Sequence, residues 1–270
     1  SVQADLDNPY GRSKLEAEKI IKTLSNEKNC MVNIFRLPGV FGKWCKPEYN
    51  SVVATFCYNI AREIPIKIDD EKTELKLVYI DDVLKNFILS LEQNDNEIYK
   101  TVEPEYSVSL GELAKQIKSF KSSRENLRID SIGSGFLKVL YSTYLSYLPS
   151  NQFSYLLRKN IDVRGKFVEV FKSSIFGQVS YLTINVKQKR GGHFHHTKTE
   201  KFLVLKGSVL FRFKNLVTDE FIEIKVLPSD TKMVDTIPGW AHDIVNIGTE
   251  EAIIMVWSNE IYDPQNPDTI

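Results

Sequence analysis

Two different patterns of apolar and polar positions divide the chain. Over residues 9–25, apolar side chains at Leu15, Ala17, Ile20 and Ile21 recur among lysines and glutamates, which predicts a helix. Residues 30–37 form the run Cys-Met-Val-Asn-Ile-Phe-Arg-Leu, closed by Pro38-Gly39, and predict a buried strand. Residues 51–63 predict a helix that stops before Pro65, and residues 75–79 a short strand. Residues 81–92 and 110–120 predict further helices. Helix and strand alternating in this way predict an α/β domain built on a parallel sheet. Residues 134–160, rich in aromatic side chains, predict a helical bridge to the second half of the chain.

From about Asp162 the helical period disappears. Short strand-like runs at 168–171, 178–186, 202–205, 209–213, 221–226 and 252–257 are separated by turn residues. That spacing predicts an all-β jelly-roll sandwich of about 110 residues. The expected division is therefore 1–160 and 161–270.

Composition changes this picture little. The 42% hydrophobic and 26% charged residues are ordinary for a globular protein. The formal net charge is zero, so nothing argues for a nucleic-acid or membrane-surface partner. The longest apolar runs fall far short of the roughly 20 residues of a membrane span. Three cysteines, Cys30, Cys45 and Cys57, lack metal-type spacing and suggest free thiols in a reducing compartment. No secretion signal opens the chain, so the cytoplasm is the expected location.

The four histidines carry more. His193, His195 and His196 lie in Arg190-Gly-Gly-His-Phe-His-His-Thr-Lys-Thr-Glu200, and His242 follows the turn Pro238-Gly239. Two residues apart on a strand, His193 and His195 point to the same side, whereas His196 points to the other. With Glu200 opening the next strand and His242 arriving after its turn, three imidazoles and one carboxylate are expected to converge on one divalent metal. The competing reading is four unrelated surface or core histidines, and two tight clusters argue against it.

The spacing of His193, His195, Glu200 and Gly207, followed by Pro238, Gly239, His242 and Asn246, resembles the two motifs of the cupin superfamily. Lys187 stands where the first motif carries a glycine, and Pro238 and Gly239 are adjacent where the second spaces them by one. The string Arg190-Gly-Gly-His193 is similar to the corresponding strand of the keto-sugar epimerases with cupin-type barrels. That resemblance implies that Arg190 helps bind the substrate, and a guanidinium fork suits a diphosphate. Epimerising a carbon beside a ketone needs a base to move the proton and an electrophile on the oxygen. Metal-bound histidines cannot serve as that base, and the sequence does not single one out.

In the first half, Pro9-Tyr10-Gly11-Arg12-Ser13-Lys14 with Glu18 resembles the active-site helix of extended short-chain dehydrogenases/reductases acting on nucleotide sugars. Residues 36–42, Arg-Leu-Pro-Gly-Val-Phe-Gly, resemble the strand and loop that pass the nicotinamide, and residues 78–83 a later strand-to-helix junction. The resemblance implies a Rossmann-type reductase in which Tyr10 passes a proton to a sugar ketone, with Lys14 lowering the phenol pKa. It places Ser1 near the position of the hydroxyl that assists the tyrosine. Tyr10, Lys14 and Pro38 are implied contacts of the cofactor. The G-x-x-G-x-x-G string that would receive its pyrophosphate is absent, so a partial reductase domain with weak NADPH binding is expected.

A reductase joined to a metal cupin resembles the CapF-type enzymes of capsular polysaccharide synthesis. That family implies a UDP-sugar substrate, epimerisation at C3 in the cupin, and reduction of the C4 ketone with NADPH towards UDP-N-acetyl-L-fucosamine. It also implies zinc and a homodimer. The residues leave two other readings open, a sugar-binding cupin whose metal is a structural staple and an iron-dependent cupin oxygenase.

Overall fold

The computed structural model describes residues 1–92, 98–129 and 131–270. The chain divides into two compact units, Ser1–Lys121 with Ser131–Phe153, and Ser122–Asp130 with Ser154–Ile270.

In the first unit, helix α1 (Pro9–Lys28) begins with its Pro at the first turn, and the Asn8 side chain accepts the Gly11 amide. Strand β1 (Ile34–Phe35) leads to β2 (Gly39–Phe41), and Ser51 caps α2 (Val52–Ala61). Strand β3 (Glu74–Tyr79) runs directly into α3 (Ile80–Glu92). Then come β4 (Tyr99–Lys100), β5 (Glu105–Ser109), α4 (Leu110–Asn126) and α5 (Gly135–Ser146). A three-stranded sheet has the order β2-β3-β5, and β1 pairs with β4. Phe41, Leu77 and Val108 from that sheet pack with Cys57, Leu113, Ile117, Leu140 and Tyr144 from the helices in one core.

Three expectations change here. Of residues 30–37 only Ile34 and Phe35 form a ladder, paired in parallel with Tyr99 and Lys100. The sheet is mixed, because β2 and β3 are parallel while β3 and β5 are antiparallel. Strand direction depends on the path of the connection, which local apolar runs do not encode. The predicted helical bridge is mostly core. Leu140 and Tyr144 of α5 are almost completely buried in the first unit, and between α5 and residue 160 only the short 3-10 turn Ser150–Gln152 is helical.

Among the described residues the second unit contains ten strands, β6 (Asn160–Asp162), β7 (Gly165–Ser173), β8 (Gly177–Ile184), β9 (Lys189–His193) and β10 (Glu200–Lys206), then β11 (Val209–Asn215), β12 (Phe221–Val226), β13 (Met233–Asp235), β14 (Trp240–Asn246) and β15 (Ala252–Ser258). They make a six-stranded sheet, β13-β10-β15-β8-β7-β6, and a four-stranded sheet, β12-β11-β14-β9. Every pairing among these strands is antiparallel. Leu182, Phe202, Val204, Ile254 and Val256 from one sheet meet Val209, Phe211, Phe213 and Ile244 from the other in a single core. Their every-second-residue spacing is the inward face of each strand. Gly207 sits at φ 81°, and a Cβ there would lie 2.8 Å from the Ala252 Cα, so the turn into β11 requires glycine.

A segment far upstream in sequence joins this unit. Ile129 N–H donates to the Lys172 carbonyl at 2.9 Å, and Lys172 N–H donates to the Leu127 carbonyl at 2.8 Å, beside β7. A boundary drawn along the sequence at residue 160 cannot register such a return. No helix among the described residues is long and apolar enough to cross a membrane.

Candidate metal centre and active-site helix

His193, His195, Glu200 and His242 each offer a donor atom, and these atoms lie within 4.8 Å of one another. The route to this convergence differs from regular strand alternation. Strand β9 ends at His193, so His195 stands outside it. The ladder between β9 and β14 pairs His193 with His242 but Gly191 with Asp243, so Gly192 is an inserted residue. Gly191 and Gly192 have φ of 97° and 90°, a conformation that an L side chain resists. The bulge turns His193 towards His242, with ring centroids 4.9 Å apart. His195 lies 4.9 Å from His193 and 5.3 Å from His242, centroid to centroid. Thr236 Oγ1 accepts the Glu200 amide at 2.8 Å and so fixes the start of β10. His196 is exposed and rests edge-on against Phe194.

The donor chemistry fits a metal ion. His195 is buried, and its Nε2 has no hydrogen-bond partner. Its Nδ1 meets the backbone carbonyl of Asp268, which accepts only an N–H, so the Nε2 lone pair faces inward. Glu200 Oε2 lies 3.5 Å from His195 Nε2 and 3.8 Å from His242 Nε2. Donors about 2.1 Å from a tetrahedral centre stand roughly 3.4 Å apart, so the spacing suits one small ion. Burial alone would raise the Glu200 carboxyl, but its contacts with His195, His242 and Lys198 outweigh this and hold it well below the usual carboxylate range. Burial also pushes His193 down to about 4, with the neighbouring His242 and His195 acting in the same direction. A neutral His193 beside an ionised Glu200 matches the ligand forms a divalent metal takes.

The centre opens into a cavity of about 370 Å³ whose wall includes Arg164, Arg190, Lys198 and Tyr262. Lys198 Nζ stands 3.0 Å from Glu200 Oε1. Arg190 is held by the Thr183 carbonyl at 3.1 Å and by Asp162 at 3.3 Å. The same Asp162 carboxylate holds Arg164 through two nitrogens, at 3.0 and 2.6 Å. Sequence reasoning selected Arg190 but not Arg164, Lys198, Tyr262 or Asp268. Only Lys198, inside the histidine string, was close enough in sequence to be found there.

The other motif positions have distinct jobs. Lys187, in the place of the expected glycine, adopts φ 63°, so the backbone keeps the left-handed turn that explains a glycine there. Gly239 N–H donates to the His195 carbonyl at 2.9 Å, tying the Pro238-Gly239 turn to the centre. Asn246 is buried and donates to the Ile184 and Glu250 carbonyls at 2.7 Å each.

In the first unit, Tyr10 is about half exposed, and Lys14 Nζ lies over its ring, 5.1 Å from the centroid. Gly11 lets a preceding 3-10 turn, Val2–Asp5, press onto α1, for a Cβ would fall 2.2 Å from the Leu6 carbonyl oxygen. Ser1 caps that turn, accepting the Gln3 amide at 3.3 Å. Val2 N–H donates to the Leu37 carbonyl at 3.1 Å, which brings the turn beside Pro38. Glu18 and Arg36, from two separate motifs, meet in a partly buried ion pair at 2.8 Å. Hydrogen bonds from Arg36 and Tyr99 hold the Glu18 carboxyl below its usual range despite burial. This pair ties the Tyr10 helix to the residue that follows β1.

Comparison with known proteins agrees with both halves. Residues 3–102 match the NAD dependent epimerase/dehydratase family, and residues 160–270 match the polysaccharide biosynthesis C-terminal domain. The chain is 49% identical over its 270 residues to the UDP-2-acetamido-2,6-beta-L-arabino-hexul-4-ose reductase of Pseudomonas aeruginosa, covering 73% of that protein. The crystal structure of the capsular polysaccharide assembling protein CapF from Staphylococcus aureus matches all of this chain and 74% of its own, with a TM-score of 0.95 and 43% identity. A CapF structure with the inhibitor 3-isopropenyl-tropolone matches 94% of this chain and 74% of its own, with a TM-score of 0.90 and 42% identity. With such identity and a shared fold along its whole length, the chain belongs to the family that includes the P. aeruginosa UDP-2-acetamido-2,6-beta-L-arabino-hexul-4-ose reductase and the S. aureus CapF protein.

Proposed function

We propose that this chain serves a nucleotide-sugar-modifying enzyme of capsular polysaccharide synthesis, with two active sites in sequence. The second unit, read as a cupin jelly roll, epimerises a UDP-4-keto-deoxy amino sugar at C3. The reductase domain then reduces the C4 ketone with NADPH, towards UDP-N-acetyl-L-fucosamine. The observation that carries this reading is the convergence of His193, His195, Glu200 and His242 beside a cavity whose wall includes His193, Glu200, His242 and Arg190.

In this reading His193, His195, Glu200 and His242 hold zinc. When bound there, the ion would supply Lewis acidity for a ketone oxygen beside the C–H bond to be epimerised. Arg190, anchored by Thr183 and Asp162, presents its guanidinium to the diphosphate, and Arg164 stands ready on the same carboxylate. The apolar wall, with Phe167, Leu182 and Phe202, excludes water from the proton transfer. In the first unit, Tyr10 donates the proton to the C4 oxygen, and the Lys14 ammonium over its ring stabilises the developing phenolate. Tyr10, Lys14 and Pro38 would face the nicotinamide, which when bound would supply the hydride for the reduction. Ser1 would assist Tyr10. A homodimer belongs to the same reading.

Incubation of a UDP-4-keto sugar with the chain in heavy water tests it. Deuterium should enter at C3 with the wild type and not with His193→Ala. Metal-loaded protein that binds the sugar without exchange would sink the epimerase. That outcome would favour a structural ion in a sugar-binding barrel, a role that a closed set of four protein donors also suits.

A further inference from the structure

The segment that carries His195 has little support of its own. Strand β9 stops at His193 and β10 starts at Glu200, so residues 194–199 lie outside the ladders of both sheets. Gly239 holds the His195 carbonyl and Asn259 brackets Thr197 and Thr199, but the amides that follow His195 are gathered from about 70 positions downstream. The Asp268 carboxylate accepts the backbone N–H groups of His196, Thr197 and Lys198 at 2.8, 2.7 and 2.8 Å, and the Thr197 hydroxyl at 3.1 Å. The Asp268 carbonyl receives His195 Nδ1. On either side of these contacts, Phe194 and Ile270 exchange backbone hydrogen bonds of 3.0 and 3.2 Å. Thr269 reaches the wall of the cavity itself.

We propose that Asp268 is the positioning residue of the metal centre, its side chain gathering the amides after His195 and its carbonyl selecting the His195 tautomer that aims Nε2 inward. The proposal rests on the metal-binding reading above. Three convergent N–H groups form a concave site that needs an anion, and one carboxylate fills it. The two halves of the residue act together, because an immobilised carboxylate fixes where the carbonyl lies. A carbonyl can only accept, so Nδ1 carries the hydrogen, and in the neutral imidazole that ligates a metal Nε2 is then the lone pair. The Nε2 that this leaves without a protein partner is the donor nearest to Glu200 Oε2. Asp268 has no contact with the proposed ion and acts only through His195 and the loop.

The test compares wild type, Asp268→Ala and Asp268→Asn in the full chain. One readout is cobalt(II) titration with its visible absorption, and the other is the His195 ring tautomer by nitrogen NMR in metal-free protein. Loss of an outer-shell partner typically costs on the order of 10–100-fold in metal affinity, and Asp268→Ala should show this. It should also replace the pure Nδ1–H tautomer with a mixture. Asp268→Asn keeps an acceptor oxygen and should fall between, and it decides the matter if Asp268→Ala does not fold. A folded variant with unchanged cobalt affinity, spectrum and tautomer would overturn the proposal, even if its thermal stability fell. If wild-type protein takes up no cobalt, the metal reading fails and this proposal fails with it. Normal wild-type uptake beside an indifferent Asp268→Ala rejects the proposal alone.

Discussion

Replacing Glu18 by Gln tests how α1, and with it Tyr10, is held. Arg36 donates from Nε to Glu18 Oε1 at 3.1 Å and from Nη2 to Oε2 at 2.8 Å, and Tyr99 donates to Oε2 at 3.1 Å. The Glu18 side chain is 9% exposed and that of Arg36 27%. Breaking a fully buried pair by removing one partner costs about 3–5 kcal/mol. Arg36 keeps Asp5 as a second partner and is partly solvated, so a cost below that range, about 1–2 kcal/mol, is expected. The assay is urea unfolding followed by far-ultraviolet circular dichroism, to which the helical first unit contributes most. A double-mutant cycle with Arg36→Met should give a coupling of about 1 kcal/mol. The pH dependence has a definite sign. The folded-state pKa of Glu18 is lowered, so its contribution is complete above the unfolded value of about 4.3 and is lost as pH falls through the folded pKa. The deficit of Glu18→Gln against wild type should therefore shrink below that pH. A variant within about 0.5 kcal/mol of wild type at neutral pH would refute the reasoning, since that is the range of ordinary surface changes. So would a cycle that closes to zero.

Other expectations concern the second unit and the helix entry. Phe211→Ala empties the centre of the sandwich core and should cost about 3–5 kcal/mol, read from the unfolding of the β unit. His193→Ala should lose stoichiometric metal by elemental analysis, while His196→Ala, exposed beside Phe194, should keep it; the reverse would reject the ligand assignment. In chelated protein His193 is held down to about 4, below its unfolded value of about 6.5, so the folded state binds fewer protons and stability should fall as pH drops through that window. A flat stability profile between those values would show that His193 is not buried as described. Gly11→Ala should loosen the Val2–Asp5 turn, seen as faster amide exchange there, because its methyl would meet the Leu6 and Gln3 carbonyls.

Much of this protein is legible one residue at a time. The strands at 202–205, 209–213 and 252–257 announce themselves by apolar period, because each buries a single face, whereas the helix at 9–25 keeps its period although Ile20 and Ile21 are exposed. The four candidate ligands are legible for a similar reason, since their chemistry is rare in the chain and their spacing short. What the tertiary structure alone decides is how those residues meet. Local pattern places His193 and His195 on one regular strand, whereas a bulge at Gly192 aims the first and a carbonyl 73 residues away aims the second. The antiparallel turn of β5, the burial of α5 and the return of Leu127 and Ile129 to β7 are likewise set by partners distant along the chain. Glu18 and Arg36 each read as a motif residue in sequence, and only folding makes them one ion pair. The common cause is physical. Period and propensity report which face of an element turns from water, while direction, register and hydrogen-bond partners depend on contacts between segments that no local window contains.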